Sequence, residues 1–277
     1  NGLVINGSVS ISDVATQLVP TVGGGSPIIV NGIIQNGGTA ATGSVNITNS
    51  ADVIFAANNT FTGRVTIGVG AKLTVGNGGT TGNLPSLVTL NGILNFNRSD
   101  FYTYSNVIAG SGDLMVTSPT TGGVILGAAN TFSGDTTINS GSLRYGIANA
   151  LRNGATLAVN PTGTLDLNGF NATLSLLVGS TAGGGGVVTN SGGSAAVLTL
   201  STGTNPTDYA FFGQILDGAS ALSLNKTGTN TVTLGGNSNF SGNSTLADGT
   251  IVVAHNNALG SAAWFVDGGT LSGDRTP

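Results

Sequence analysis

The sequence predicts an all-β fold, a right-handed β-solenoid (β-helix) built from irregular repeats. Three observations lead there: a chain almost without charge, short apolar steps of period two cut by glycine-bearing corners, and an internal repeat that aligns at a long offset without a gap. Charged residues make up 6% of the 277 positions, against roughly 25% in ordinary soluble domains. All the acids are Asp, and Lys72 and Lys226 are the two lysines, so the usual helix-surface vocabulary is missing. Gly, Asn, Thr and Ser fill the remainder, and these favour turns and local backbone hydrogen bonds over helix interiors. A mean hydropathy of +0.28 argues for a chain that folds, since disordered chains combine low hydrophobicity with high charge.

The strands come next. Apolar–x–apolar steps recur at Val65/Ile67, Leu73/Val75, Val88/Leu90, Leu94/Phe96, Leu157/Val159, Leu165/Leu167, Leu198/Leu200, Leu222/Leu224 and Val232/Leu234. Each is the pattern of a short, half-buried strand. Asn-Gly and Asp-Gly pairs punctuate them, at Asn6-Gly7, Asn31-Gly32, Asn77-Gly78, Asn91-Gly92, Asn153-Gly154, Asn168-Gly169, Asp217-Gly218, Asp248-Gly249 and Asp267-Gly268. Such pairs tolerate the positive φ of tight corners. Three segments then share one motif, ending in Phe61-Thr-Gly63, Phe132-Ser-Gly134 and Phe240-Ser-Gly242 and opening with Asn59, Asn130 and Ser238. Phe132 and Phe240 stand 108 positions apart, and at that offset Val107/Ile215, Gly110/Gly218, Leu114/Leu222, Val116/Leu224, Val124/Val232 and Leu126/Leu234 pair like with like. Stacked coils with insertions on one face generate unequal periods of this kind. In such a stack each coil hydrogen-bonds to the one before, and the inward side chains form a continuous core. The expected core therefore comprises Phe61, Phe132, Phe240, Leu114, Leu222, Val124, Val232, Leu126 and Leu234. Residues 1–26 read as an N-terminal extended strand segment with a Pro/Gly linker, and residues 27–277 as the solenoid repeat domain.

The residues from Lys226 through Gly242, followed by Asp248-Gly-Thr-Ile251, Asn256-Asn-Ala-Leu-Gly260 and Gly268-Gly-Thr-Leu271, resemble the passenger-associated transport repeat of bacterial autotransporters. A second copy runs from Gly122 to Leu143 and on to Asn149-Ala-Leu151, and the copy around Phe61 is weaker. The sequence departs from the pattern where Ser118 stands in place of Lys226, and no C-terminal translocator barrel is expected within residues 1–277. That family occurs in large surface-exposed β-solenoid proteins of Gram-negative bacteria. What the resemblance implies is architecture and export rather than a reaction.

Catalytic readings fare poorly. The single histidine, His255, lies near Ser244, Ser261, Asp248 and Asp267, but a triad is defined by geometry and not by neighbourhood in a Ser-rich sequence. His255 reads as a surface histidine at a coil corner. Polysaccharide lyases and glycosidases need paired carboxylates or Asp clusters, whereas the eleven Asp are scattered singly, with Asp113, Asp217 and Asp248 left for stacking to gather. Gly183 to Gly186 and Gly23 to Gly25 lack the Gly-Lys-Ser/Thr ending of a phosphate loop and read as flexible loops. Phe101-Tyr-Thr-Tyr104 and Phe211-Phe212 offer a glycan-stacking platform or, more simply, core and coil-edge packing.

The function expected is that of a non-enzymatic extracellular structural protein of a bacterium, secreted or on the cell surface: a stalk, adhesin or fibre subunit with no cofactor and no metal. The rivals are a carbohydrate-active β-helix enzyme and a phage-type fibre. A net charge of −4 supplies no basic footprint for nucleic acid, and no apolar run reaches the ~20 residues of a membrane helix. The expected partners are identical subunits joined end to end, together with a host or surface glycan. Leu3, Ile5, Val9 and Ile11 form the candidate assembly strand that would add to a neighbour's open edge.

Overall fold

The computed structural model describes residues 2–11, 26–38, 43–48, 50–119, 121–179, 184–201 and 207–273. Residues 20–25 of the expected linker, with Gly23 to Gly25, and Gly183 of the second glycine run lie outside them. The described residues form 27 strands and no helix. Every strand pair is parallel and joins segments roughly one coil apart, so the fold is a β-solenoid. The chain divides into two compact units, Asn1–Gly134 and Asp135–Pro277.

In the first unit the strands Ile28–Val30, Asp52–Phe55, Lys72–Val75, Ile93–Phe96 and Asp113–Thr117 stack in one parallel column. Register runs Ile28, Val53, Leu73, Leu94, Leu114 along one inward row and Val30, Phe55, Val75, Phe96, Val116 along the next. All ten are buried. A second column, Val45–Ile47, Val65–Ile67, Val88–Leu90 and Ile108–Gly110, stacks Val45, Val65, Val88 and Ile108. The apolar–x–apolar step works because alternate residues of a strand face opposite sides. Two inward residues per strand, repeated every ~4.8 Å of rise, are enough for a core. Each large side chain buried there contributes ~1.5–3 kcal/mol, which a single coil could not sum to its own ordering cost.

In the second unit, Thr136–Tyr145 pairs with Ala155–Asp166 across a bulge, placing Ile138 on Val159 and Leu143 on Leu165. The strands Ala172–Val178, Ala196–Leu200, Leu222–Lys226, Ser244–Leu246 and Trp264–Val266 follow in one column. Tyr209–Phe211, Thr231–Leu234, Thr250–Val253 and Thr270–Gly273 form another.

The Asn-Gly corners serve two physical purposes rather than one. At Asn168-Gly169 both residues have positive φ, 49° and 84°, as the sequence suggests for a tight corner. Gly92 has no positive φ; a Cβ there would overlap the carbonyl oxygens of Gly68 and Ala71 in the preceding coil. Close approach of stacked backbones, not turn conformation, requires that glycine.

The 108-residue offset is gapless in sequence but not in space. Ile108, not Val107, takes the place of Ile215: each is buried, and each bonds the corner one coil on. The second unit accommodates its extra residue in the corner after Ile215, where the Asp217 carboxylate accepts the N–H of Leu222 at 2.7 Å.

Candidate functional site

The feature that recurs is a corner built by the Phe motif. The Asn59 side-chain carbonyl accepts the N–H of Ile34 at 2.9 Å, Asn130 accepts Ile108 at 2.8 Å, and Ser238 Oγ accepts Ile215 at 3.1 Å. The next residue of each motif returns the bond: the N–H groups of Thr60, Thr131 and Asn239 donate to the carbonyls of Ile34, Ile108 and Ile215 at 2.9, 3.0 and 3.1 Å. A side-chain oxygen thus stands in for a peptide carbonyl, and the parallel ladder continues through a corner that is not a strand. Buried backbone donors must find acceptors, and Ile34, Ile108 and Ile215 are all buried. The Phe two residues on closes the interior, with Phe61 and Phe240 at 0% exposure and Phe132 at 3%. Leu114, Leu222, Val124, Val232, Leu126 and Leu234 line the same interiors. The sequence displayed the motif, but the role of its first residue was not read from it; the signal was an amide or hydroxyl two positions before each Phe.

Two buried cations organise longer corners. In the first unit Arg98, at 6% exposure, donates to the carbonyls of Gly82 and Thr80. It also holds Asp100 through Nε and Nη2, each at 2.8 Å, and lies 5.2 Å from the centre of the Tyr102 ring. The Tyr102 hydroxyl accepts the Leu84 N–H and donates to the Leu84 carbonyl, both at 3.0 Å, and Tyr104 donates to the Ser86 carbonyl at 2.7 Å. Residues 76–87 are thereby tied down along their length. The Arg98 hydrogen bond holds the Asp100 carboxyl below the usual carboxylate range, while burial pushes the Tyr102 and Tyr104 hydroxyls up. Of the Phe101–Tyr104 segment, Phe101 is exposed and Tyr104 is buried.

In the second unit Lys226 stands in an otherwise apolar row, between Leu200 and Leu246, and is fully buried. Its ammonium donates to the Gly228 carbonyl and, at 3.5 Å, to that of Asp248. Burial pushes its pKa down, opposed by the charges of Asp248 and Asp208. Ser118, the residue at the matching repeat position, is also fully buried; it accepts the Arg98 N–H at 3.2 Å. Asp166, 2% exposed, accepts Arg144 Nε at 2.6 Å, the N–H groups of Asn168 and Ser191 at 3.0 and 2.9 Å, and the Ser191 hydroxyl at 2.6 Å. These polar groups fasten coils together.

His255 is exposed, and its Nδ1 accepts the Asn257 N–H at 3.1 Å, the geometry of a local cap. Asp217 bonds Ser241 through both N–H and hydroxyl, at 3.1 and 2.5 Å. Among the described residues no three or more His, Cys, Asp or Glu gather in a way that could hold a metal. Phe211 is buried, whereas Phe212 is exposed and lies over Gly235. Of the candidate assembly residues, Ile5, Val9 and Ile11 sit in Val4–Ile5 and Val9–Ile11, which pair in parallel with Ile28–Val30 and Ile34–Asn36 of the same chain, and Leu3 precedes the first of these strands. Leu3 is exposed and Ile11 is buried.

No family model matches the chain, and no solved structure matches it. Over 78 residues the chain is similar to the adhesin BmaC autotransporter of Brucella suis biovar 1 (strain 1330), with 45% identity. The matched stretch is 27% of this chain and 2% of that protein.

Proposed function

We propose that this chain is an extracellular, adhesin-like β-solenoid segment of an autotransporter passenger, acting as a non-enzymatic spacer that carries adhesive surface away from the cell. The 45% identity to an autotransporter adhesin over 78 residues is the observation that carries this reading. The resemblance of residues 226–271 to the passenger-associated transport repeat supports it, as does the assignment of the buried polar groups to coil-to-coil bonds. A solenoid stack lengthens by adding coils, since each coil needs only its neighbours for stability. Its outward face is then free to vary in sequence.

Two assays on the source bacterium test this. Antibodies raised against the purified chain should label intact cells, with the label lost on treatment with external protease. The purified chain should also bind host cell layers or a glycan array and compete with whole-cell attachment. Labelling that appears only after cells are permeabilised would overturn the extracellular reading; turnover of a polysaccharide panel, lost on mutating His255 or a single Asp, would overturn the non-enzymatic one.

A further inference from the structure

We propose that Asn6-Gly7 is a spontaneous deamidation site, and that coil-to-coil hydrogen bonds suppress the same reaction at the other Asn-Gly pairs among the described residues. In this reaction the backbone nitrogen of the glycine attacks the Asn side-chain carbon. An N–Cγ bond forms, the Cγ–Nδ2 bond breaks, and ammonia departs with the proton that the backbone nitrogen gave up. Water then opens the succinimide at either carbonyl, leaving Asp or isoaspartate. No oxidant or enzyme is needed. The requirement is a glycine N–H free to lose its proton and a peptide free to rotate toward the side chain.

Six of the seven Asn-Gly pairs among the described residues fail that requirement. The N–H of Gly32 donates to the Ile5 carbonyl at 3.2 Å, Gly37 to Ile11 at 2.6 Å, Gly78 to Asn97 at 2.9 Å, Gly92 to Ile67 at 3.0 Å and Gly154 to Thr173 at 2.9 Å. Gly169 donates to the Asn190 side-chain carbonyl at 2.7 Å. Each bond reaches a different coil, so releasing the glycine means opening the stack locally, and such openings carry their own free-energy cost. Gly7 differs. Among the described residues its N–H has no acceptor, both Asn6 and Gly7 are exposed, and nothing lies within 4 Å of where a Gly7 side chain would begin. The Asn6 side-chain carbonyl also accepts Asn31 Nδ2 at 2.9 Å. That bond draws electrons from the carbon under attack and helps stabilise the oxyanion that forms on it.

The product changes the first coil in two ways. It adds a negative charge to a chain with few charges. In the isoaspartate form it also inserts a methylene into the backbone between Val4–Ile5 and Val9–Ile11, shifting the two strands' registers against Ile29–Val30 and Ile34–Asn36.

The test uses the full chain without substitution. Folded protein and urea-unfolded protein are aged side by side at mildly alkaline pH and digested, and the peptides carrying these seven Asn-Gly pairs are quantified by mass spectrometry, with isoaspartate distinguished by methyltransferase labelling. Expressing each rate as folded over unfolded removes the effect of local sequence. The ratio should lie within about threefold of one for Asn6 and at least ~tenfold below one for Asn31, Asn36, Asn77, Asn91, Asn153 and Asn168, with Asn31, whose glycine makes the longest bond, next after Asn6. Ratios that are equal at all seven sites, or an Asn6 ratio as low as the rest, would overturn the proposal.

Discussion

Replacing Asn130 by Ala removes the side chain that carries the ladder through one corner of the first unit, and the structure sets the size of the effect. Asn130 accepts the Ile108 N–H at 2.8 Å and donates to the Ala128 carbonyl at 2.9 Å. Ile108 is 0% exposed, so no water replaces the lost acceptor, and an orphaned buried donor costs about 1–3 kcal/mol. Ala128 is 9% exposed, and losing its donor adds about 0.5–1.5 kcal/mol. The sum is about 1.5–4.5 kcal/mol. Asn130→Ser is the sharper comparison, because Ser238 already fills the matching position and holds the Ile215 N–H at 3.1 Å. That variant keeps an acceptor for Ile108, loses the bond to the Ala128 carbonyl, and should cost about 1 kcal/mol. Urea unfolding followed by circular dichroism measures both, a shift of midpoint at unchanged slope reporting stability alone. An Ala variant within about 0.5 kcal/mol of the parent, or a Ser variant as damaged as Ala, would refute the claim that this oxygen substitutes for a peptide carbonyl.

Phe132→Ala and Phe240→Ala, at 3% and 0% exposure, should each cost ~3–5 kcal/mol in the same assay, and shifts near zero for both would remove the rings from the core. Asp166→Asn should cost about 2–3 kcal/mol, because the buried side chain loses its charge toward Arg144 and turns an amide donor toward groups that need an acceptor. Stability should also fall above pH 10. Burial raises all four tyrosines, Tyr102, Tyr104, Tyr145 and Tyr209, above their ordinary 10.0, so the unfolded chain ionises there while the folded chain stays protonated, and the stability present below pH 10 is lost as pH rises. Lys226, lowered by burial from 10.5, works the other way, since its cost is relieved as pH rises, but one lysine opposes four tyrosines. Tyrosinate absorbance appearing near pH 10 in a chain that keeps its β-sheet circular dichroism would contradict this.

What was legible in the sequence is the part that repeats within a few residues. The step Leu73/Val75 or Leu94/Phe96 states which two side chains face inward, and the register stacks Leu73 on Leu94 and Val75 on Phe96. The spacing of Asn130 before Phe132 was visible too, but not the purpose of the amide, because its partner Ile108 lies one coil away. The 108-residue offset concealed a shift for the same reason. Sequence alignment rewards Val107 against Ile215, whereas hydrogen bonding selects Ile108, and the extra residue disappears into the Asp217 corner. Arg98 and Lys226 were the least legible. Apart from the Asp100 carboxylate beside Arg98, their acceptors are backbone carbonyls, at Gly82, Thr80, Gly228 and Asp248, and a carbonyl leaves no trace in residue identity. Lys226 stood out only as a departure from Ser118; that both are buried at matching positions became visible in three dimensions.

The central claim is that side-chain oxygens at the motif corners complete the coil-to-coil ladder, and amide hydrogen exchange tests it most directly. The Ile34, Ile108 and Ile215 N–H groups should exchange as slowly as those of ladder residues such as Gly68 and Leu216, which donate to backbone carbonyls at 2.8 and 2.9 Å. Asn130→Ala should accelerate Ile108 while leaving Ile215 unchanged. Exchange of all three amides at the rate of an unprotected loop, or an Ile108 rate indifferent to the loss of Asn130, would contradict the account.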